Sequence, residues 1–125
     1  MFNLLFVGAG GGLGAMSRYI ISGLVYRMLG TSAFPCGTLT VNVMGCFFIG
    51  FGGGLMESRQ LFTPEARLFV FTGLLGGFTT FSTFGYESFN LARDGQMIGV
   101  LLNIGLHLLL GLAAVWAGNL LSRFV

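Results

Sequence analysis

Lysine is missing from this chain, and nearly all other charge with it. Six basic residues, every one an arginine, and four acidic ones make up 8% of 125 residues. Soluble domains carry about 25% charged residues. A chain this poor in charge cannot clothe itself in a solvated surface, so a soluble globular domain is excluded as the default. The formal net charge of +2 is small and scattered, which argues against a nucleic-acid partner. Two cysteines, Cys36 and Cys46, form no CxxC pair and have no histidine nearby, so neither a disulfide framework nor a zinc site is expected. The opening MFNLLFVGAG lacks a basic leader region and is expected to be a retained span rather than a signal peptide.

What is present is apolar: 54% of residues are hydrophobic and the mean hydropathy is +0.87. Charges separate four apolar stretches, at about 2–26, 37–56, 68–91 and 97–121. Each is long enough to cross a hydrocarbon core of about 30 Å as a helix. The strict alternation of a membrane β-barrel strand is absent. The expected fold is therefore all-α: one four-helix transmembrane domain over residues 1–125. Short connections at Arg27–Cys36, Glu57–Arg67 and Ala92–Gln96 join the spans.

Orientation is poorly encoded. With the N-terminus inside, Arg59, Arg67 and Arg123 fall in the cytoplasm and Arg27 and Arg93 outside. Such a slight bias fixes no orientation by the positive-inside rule. Either a weak bias suffices, or copies insert both ways and pair antiparallel. Four spans enclose too little interior for a private pore, so an oligomer is expected in both cases.

Each span carries polar or small residues with two readings. In the first, Gly8, Gly12 and Ala15, and likewise Gly10 and Gly14, have the spacing that lets membrane helices approach closely. Arg18 lies nine residues before Arg27, hence about 13 Å deeper along a helix. A guanidinium there must snorkel, pair or face water, and the two readings are snorkelling alone or a wet, anion-attracting vestibule. In the second span Thr38 and Asn42 share a helical face. Asn42 either bridges helices or offers its amide N–H to a passing anion. In the fourth, Asn103 and His107 are four apart on one face and are further positions that such a path can touch.

The third span holds the most unusual stretch, Thr72–Glu87, TGLLGGFTTFSTFGYE. The span's midpoint falls near Thr79–Thr80. Paired glycines weaken helix continuity, and threonine hydroxyls compete for backbone bonds. Gly76–Thr80 either permits close packing or breaks the helix at the midplane. A break frees carbonyls that lipid cannot satisfy, and a hard cation suits them. An in-plane two-fold axis would set two such breaks against each other. Phe81 and Phe84 are neighbours on one face, and an aromatic edge is electropositive. Thr80, Thr83 and Glu87 are spaced as a polar stripe beside Ser82. Glu87 is an intramembrane ionisable group and hence a functional candidate.

The stretch Gly73–Glu87, GLLGGFTTFSTFGYE, resembles the signature of the Fluc (CrcB-type) bacterial fluoride channels. Gly37–Gly45, GTLTVNVMG, is similar to their second-span motif, and the glycine-rich first helix ending in Arg18 is similar too. The resemblance implies a multi-pass protein of the bacterial plasma membrane, not an enzyme, working as a dual-topology antiparallel homodimer. It implies passive export of fluoride, and a central, non-transported sodium ion on the carbonyls of Gly76 and Thr79. Phe81 and Phe84 would be the anion-contacting rings, Asn42 the donor beside them, Ser82, Thr83 and Glu87 the polar track, and Arg18 the vestibule arginine. Gly85 and Leu112 stand where the family often has serine. The rival reading is a small dual-topology, proton-coupled exporter of cationic compounds. Its one membrane carboxylate would be Glu87, and Arg18 disfavours a cationic cargo.

Overall fold

The computed structural model describes residues 2–30, 34–59 and 61–125, so parts of the first two expected connections, 31–33 and 60, lie outside the described residues. The elements are α1 (Phe2–Leu29), α2 (Cys36–Arg59), the single turn α3 (Pro64–Arg67), a π-helical segment (Leu68–Leu75), α4 (Gly76–Phe78), α5 (Phe81–Arg93) and α6 (Met97–Ser122). Four stretches have the length and apolarity to cross a membrane: Phe2–Leu29, Cys36–Arg59, Pro64–Arg93 and Met97–Ser122.

Local chemistry explains where these elements start and stop. Thr63 caps α3: its hydroxyl accepts from the Ala66 amide at 3.3 Å, and Pro64 follows in the first turn, where no N–H is needed. α5 ends in a Schellman motif. The Gln96 amide returns to the Leu91 carbonyl at 2.8 Å and the Gly95 amide to Ala92 at 3.0 Å. That turn puts Gly95 at φ +73°, where a side chain would strain the backbone.

The helices meet through small residues. α1 runs against the π-helical segment and α4 with bare backbone in contact. A Cβ at Gly10 would fall on the Phe69 carbonyl, and one at Gly14 on the Leu74 carbonyl. From the other side, a Cβ at Gly73 would lie 2.8 Å from the Val7 carbonyl oxygen, and one at Gly77 2.5 Å from that of Gly11. Gly8 and Gly12 face open space, so only one of the two small-residue faces of α1 is used inside the chain. α2 lies along α6 by the same device: Gly50 backs onto Val115, and Gly118 onto Phe47.

The apolar core is correspondingly small. Among the described residues, Val41, Leu75, Phe78 and Leu91 are its buried side chains. Large apolar side chains such as Tyr19, Phe81, Leu109 and Trp116 are exposed on all sides. A water-soluble monomer rarely shows so much apolar surface, whereas a bilayer covers it at no cost.

Candidate functional site

The site is organised by two residues that leave the helical path. Thr79 (φ −87°, ψ 159°) and Thr80 (φ −152°, ψ 112°) are extended between α4 and α5. Both the amide and the hydroxyl of Thr79 still donate to the Leu75 carbonyl, each at 3.0 Å. Room for its methyl comes from Gly45 on α2, where a Cβ would collide with Thr79 Cγ2.

The Thr80 amide has no helical acceptor, and α2 supplies one. Its amide donates to Asn42 Oδ1 at 2.8 Å, and Asn42 Nδ2 donates back to the Thr80 carbonyl at 3.1 Å. An extended residue points its own N–H and C=O to one side, where the fork of a side-chain amide matches both. In a continuous helix the Thr80 amide would bond the Gly76 carbonyl; here that donor is spent on Asn42. Arg18 reaches in from α1, and its Nη1 donates to the Thr79 carbonyl at 3.2 Å. The half-buried guanidinium thus ends on the interrupted backbone.

Thr80 also starts α5. Its hydroxyl accepts from the Thr83 amide at 3.3 Å and donates to Thr83 Oγ1 at 2.9 Å, with Ser82 Oγ at 3.5 Å. It is therefore the N-cap of α5 and not, as its spacing suggested, a member of a helical stripe with Thr83 and Glu87. Glu87 faces α2, where Thr38 Oγ1 donates to its Oε1 at 2.7 Å.

The aromatic residues form a short row. Phe81 is 82% exposed on this chain, and its ring centre lies 5.5 Å from that of Phe84. Phe84 in turn lies 4.4 Å from the His107 ring. His107 is held from both sides: Nδ1 faces the Asn103 carbonyl at 2.9 Å, and Nε2 faces Asn42 Nδ2 at 3.2 Å. Asn103, fully buried, donates through Nδ2 to Ser88 Oγ at 2.9 Å, and Ser88 donates to the Phe84 carbonyl at 2.8 Å. A cavity of about 390 Å³ is lined in part by Asn42, Thr79, Thr80, Phe81, Phe84 and His107.

Two clusters therefore gather the residues singled out from sequence. Arg18, Asn42, Phe81, Phe84 and His107 surround the extended pair Thr79–Thr80, with Gly76 on the same cavity. Thr38 and Glu87 form a separate pair further along α5. Ser82 and Thr83 belong to the capping turn. Ser88 is a residue that sequence reading missed. Its position four after Phe84 is the signal, since a mid-helix serine bonds back to the i−4 carbonyl.

Known proteins resemble this chain over most of its length. Residues 5–119 match the model of the family described as CrcB-like protein, Camphor Resistance (CrcB). A protein of Maridesulfovibrio salexigens, named Fluoride-specific ion channel FluC, is 46% identical over 125 residues, covering 100% of this chain and 98% of the relative. Proteins of the same name from Nitratidesulfovibrio vulgaris (43% identical, 100% of both chains) and Chlorobaculum tepidum (46%, 98% of this chain and 96% of the relative) are similar along their whole length.

Proposed function

Since the chain belongs to the CrcB-like family, we propose that it is a passive, fluoride-selective channel that lets cytoplasmic fluoride leave the cell down its gradient. The observation that carries the reading is the interrupted backbone at Thr79–Thr80, satisfied by Asn42 and Arg18 and followed directly by Phe81 and Phe84. The name of the full-length relatives, Fluoride-specific ion channel FluC, supplies the ion. The membrane is proposed to be the bacterial plasma membrane.

In this reading two copies pair antiparallel about an axis in the membrane plane, with both orientations inserted. The exposed Phe81 and the open backbone of Gly76 then belong to the dimer and its conduits. The break lies at the bilayer midplane. Its carbonyls suit a sodium ion: Gly76 has lost its helical donor to Asn42, and the Thr79 carbonyl keeps a second lone pair beside the Arg18 hydrogen bond. Gly76 and Thr79 would hold that ion, whose charge would offset four converging carbonyl dipoles, two from each copy.

Fluoride is small and strongly hydrated, so donors must replace its water closely. Arg18 supplies positive potential at the approach. Asn42 supplies an amide N–H, and Ser82 and Thr83 supply hydroxyls. Phe81 and Phe84 supply electropositive ring edges, which contact an anion without holding it tightly. Thr38 and Glu87 lie where the track continues.

Efflux from liposomes containing the purified protein tests this. Fast, proton-independent fluoride efflux with negligible chloride flux is expected. Phe81→Ile and Asn42→Asp should abolish it with assembly intact. Proton-coupled antiport of a cationic compound without fluoride flux would instead establish the exporter. A single uniform orientation of terminal tags would rule out dual topology.

A further inference from the structure

Resting on the channel reading above, we infer that His107 Nε2 is a placeholder: it accepts the Asn42 hydrogen that fluoride takes, and fluoride displaces it. Proton assignment begins from the backbone. The Thr80 amide can only donate, so the Asn42 atom 2.8 Å from it is the oxygen. That fixes Nδ2 against the Thr80 carbonyl and His107 Nε2. A donor facing Nε2 requires a lone pair there. On the other side of the ring, Nδ1 faces a carbonyl, which only accepts, so the proton sits on Nδ1. One tautomer satisfies all four contacts.

Counting hydrogens then decides what Asn42 has to offer. Nδ2 carries two, and both are engaged, one by Thr80 at 3.1 Å and one by His107 at 3.2 Å. The Thr80 hydrogen belongs to a two-point fork. The His107 hydrogen is held at a single point, by a contact at the long end of the hydrogen-bond range. An anion reaching Asn42 therefore takes the His107 hydrogen, and the imidazole yields while the amide plane stays fixed. His107 offers the anion nothing itself, because its one N–H is committed to Asn103. The exchange keeps the Asn42 donor paired in both states, and the His107 Nε2 lone pair is the group that gives up its partner while fluoride is bound. The Phe84 ring, 4.4 Å from the imidazole, shares the same pocket wall.

The chain contains a single histidine, so the nitrogen spectrum of labelled protein in bilayers reads this ring alone. Fluoride titration should shift Nε2, leave Nδ1 protonated, and cause no Nε2 shift in Asn42→Ala. A wild-type Nε2 indifferent to fluoride, in protein that conducts fluoride, overturns the placeholder and leaves the channel reading standing; absence of fluoride efflux overturns both. His107→Ala removes the competing acceptor. The half-saturating fluoride concentration for efflux should fall about fivefold, the equivalent of one neutral hydrogen bond. An unchanged or raised value overturns the inference.

Discussion

Asn42 is hydrogen-bonded to both backbone polar groups of Thr80, so a side chain of α2 completes the main-chain bonding of the third span. Asn42→Ala strips a partner from an amide and a carbonyl at once. The Thr80 carbonyl, as the N-cap of α5, keeps the first intrahelical bond. The amide left unpaired costs about 1–3 kcal/mol, so a loss of about 1–3 kcal/mol is expected, together with loss of fluoride flux. Unfolding in detergent and liposome efflux measure the two effects. Asn42→Asp keeps the acceptor for Thr80 N–H and loses both donors, so stability should suffer less than flux.

Glycines on α1 should divide sharply. Gly14→Ala drives a methyl into the Leu74 carbonyl, which belongs to backbone and cannot swing away. Overpacking of this kind costs about 1–3 kcal/mol. Gly12→Ala meets nothing within 4 Å on the same chain. The melting temperature should drop for the first substitution. The second is expected to leave the fold of the single chain intact and to change only a contact between copies or with lipid.

Thr38→Val deletes the hydroxyl that donates to Glu87 while keeping the shape of the side chain. A hydrogen bond to a charged group contributes about 1.5–3 kcal/mol and a neutral one about 1. The drop in stability, compared between Thr38→Val and Glu87→Gln backgrounds in a double-mutant cycle, therefore measures whether the carboxyl is ionised. Gln keeps a neutral acceptor, so a coupling energy near zero indicates a protonated Glu87 and one of about 0.5–2 kcal/mol an ionised one.

Removal of sodium tests the proposed ion on Gly76 and Thr79. Replacing all sodium by N-methyl-D-glucamine should weaken the dimer and slow fluoride efflux, and restoring sodium should reverse both. Dimer stability and flux that are indifferent to the exchange would eliminate a structural cation. Arg18→Gln, which removes the neighbouring positive charge from the Thr79 carbonyl, should lower the sodium concentration needed.

Much of the architecture was legible because it depends on composition. Four long apolar stretches declare four membrane-length helices, whereas Gly76–Thr80 left close packing and a break both open: Gly77 packs on Gly11, and Thr79 and Thr80 are the extended residues. The partners of polar residues were less legible, because they depend on how helices rotate against one another. Spacing placed Thr38 and Asn42 on one face of α2, but nothing in it paired them with Glu87 and Thr80. The spacing of Thr80, Thr83 and Glu87 suggested a stripe because it assumes a continuous helix, and Thr80 is where the helix is absent. Depth required Arg18 to snorkel, pair or face water without naming a partner; the structure shows a hydrogen bond to the Thr79 carbonyl.

The crossing of α1 with the third span is made of main chain on both sides, at Gly10, Gly14, Gly73 and Gly77. At these four contacts no side-chain rotamer intervenes. Such a seam cannot repack to follow a thermal displacement, so it transmits displacement as a rigid joint does. α1 and the stretch Leu68–Phe78 are therefore expected to move together. Compliance is left to the other side of the interruption, where α5 meets α2 and α6 through side chains, the side that the channel reading assigns to the ion.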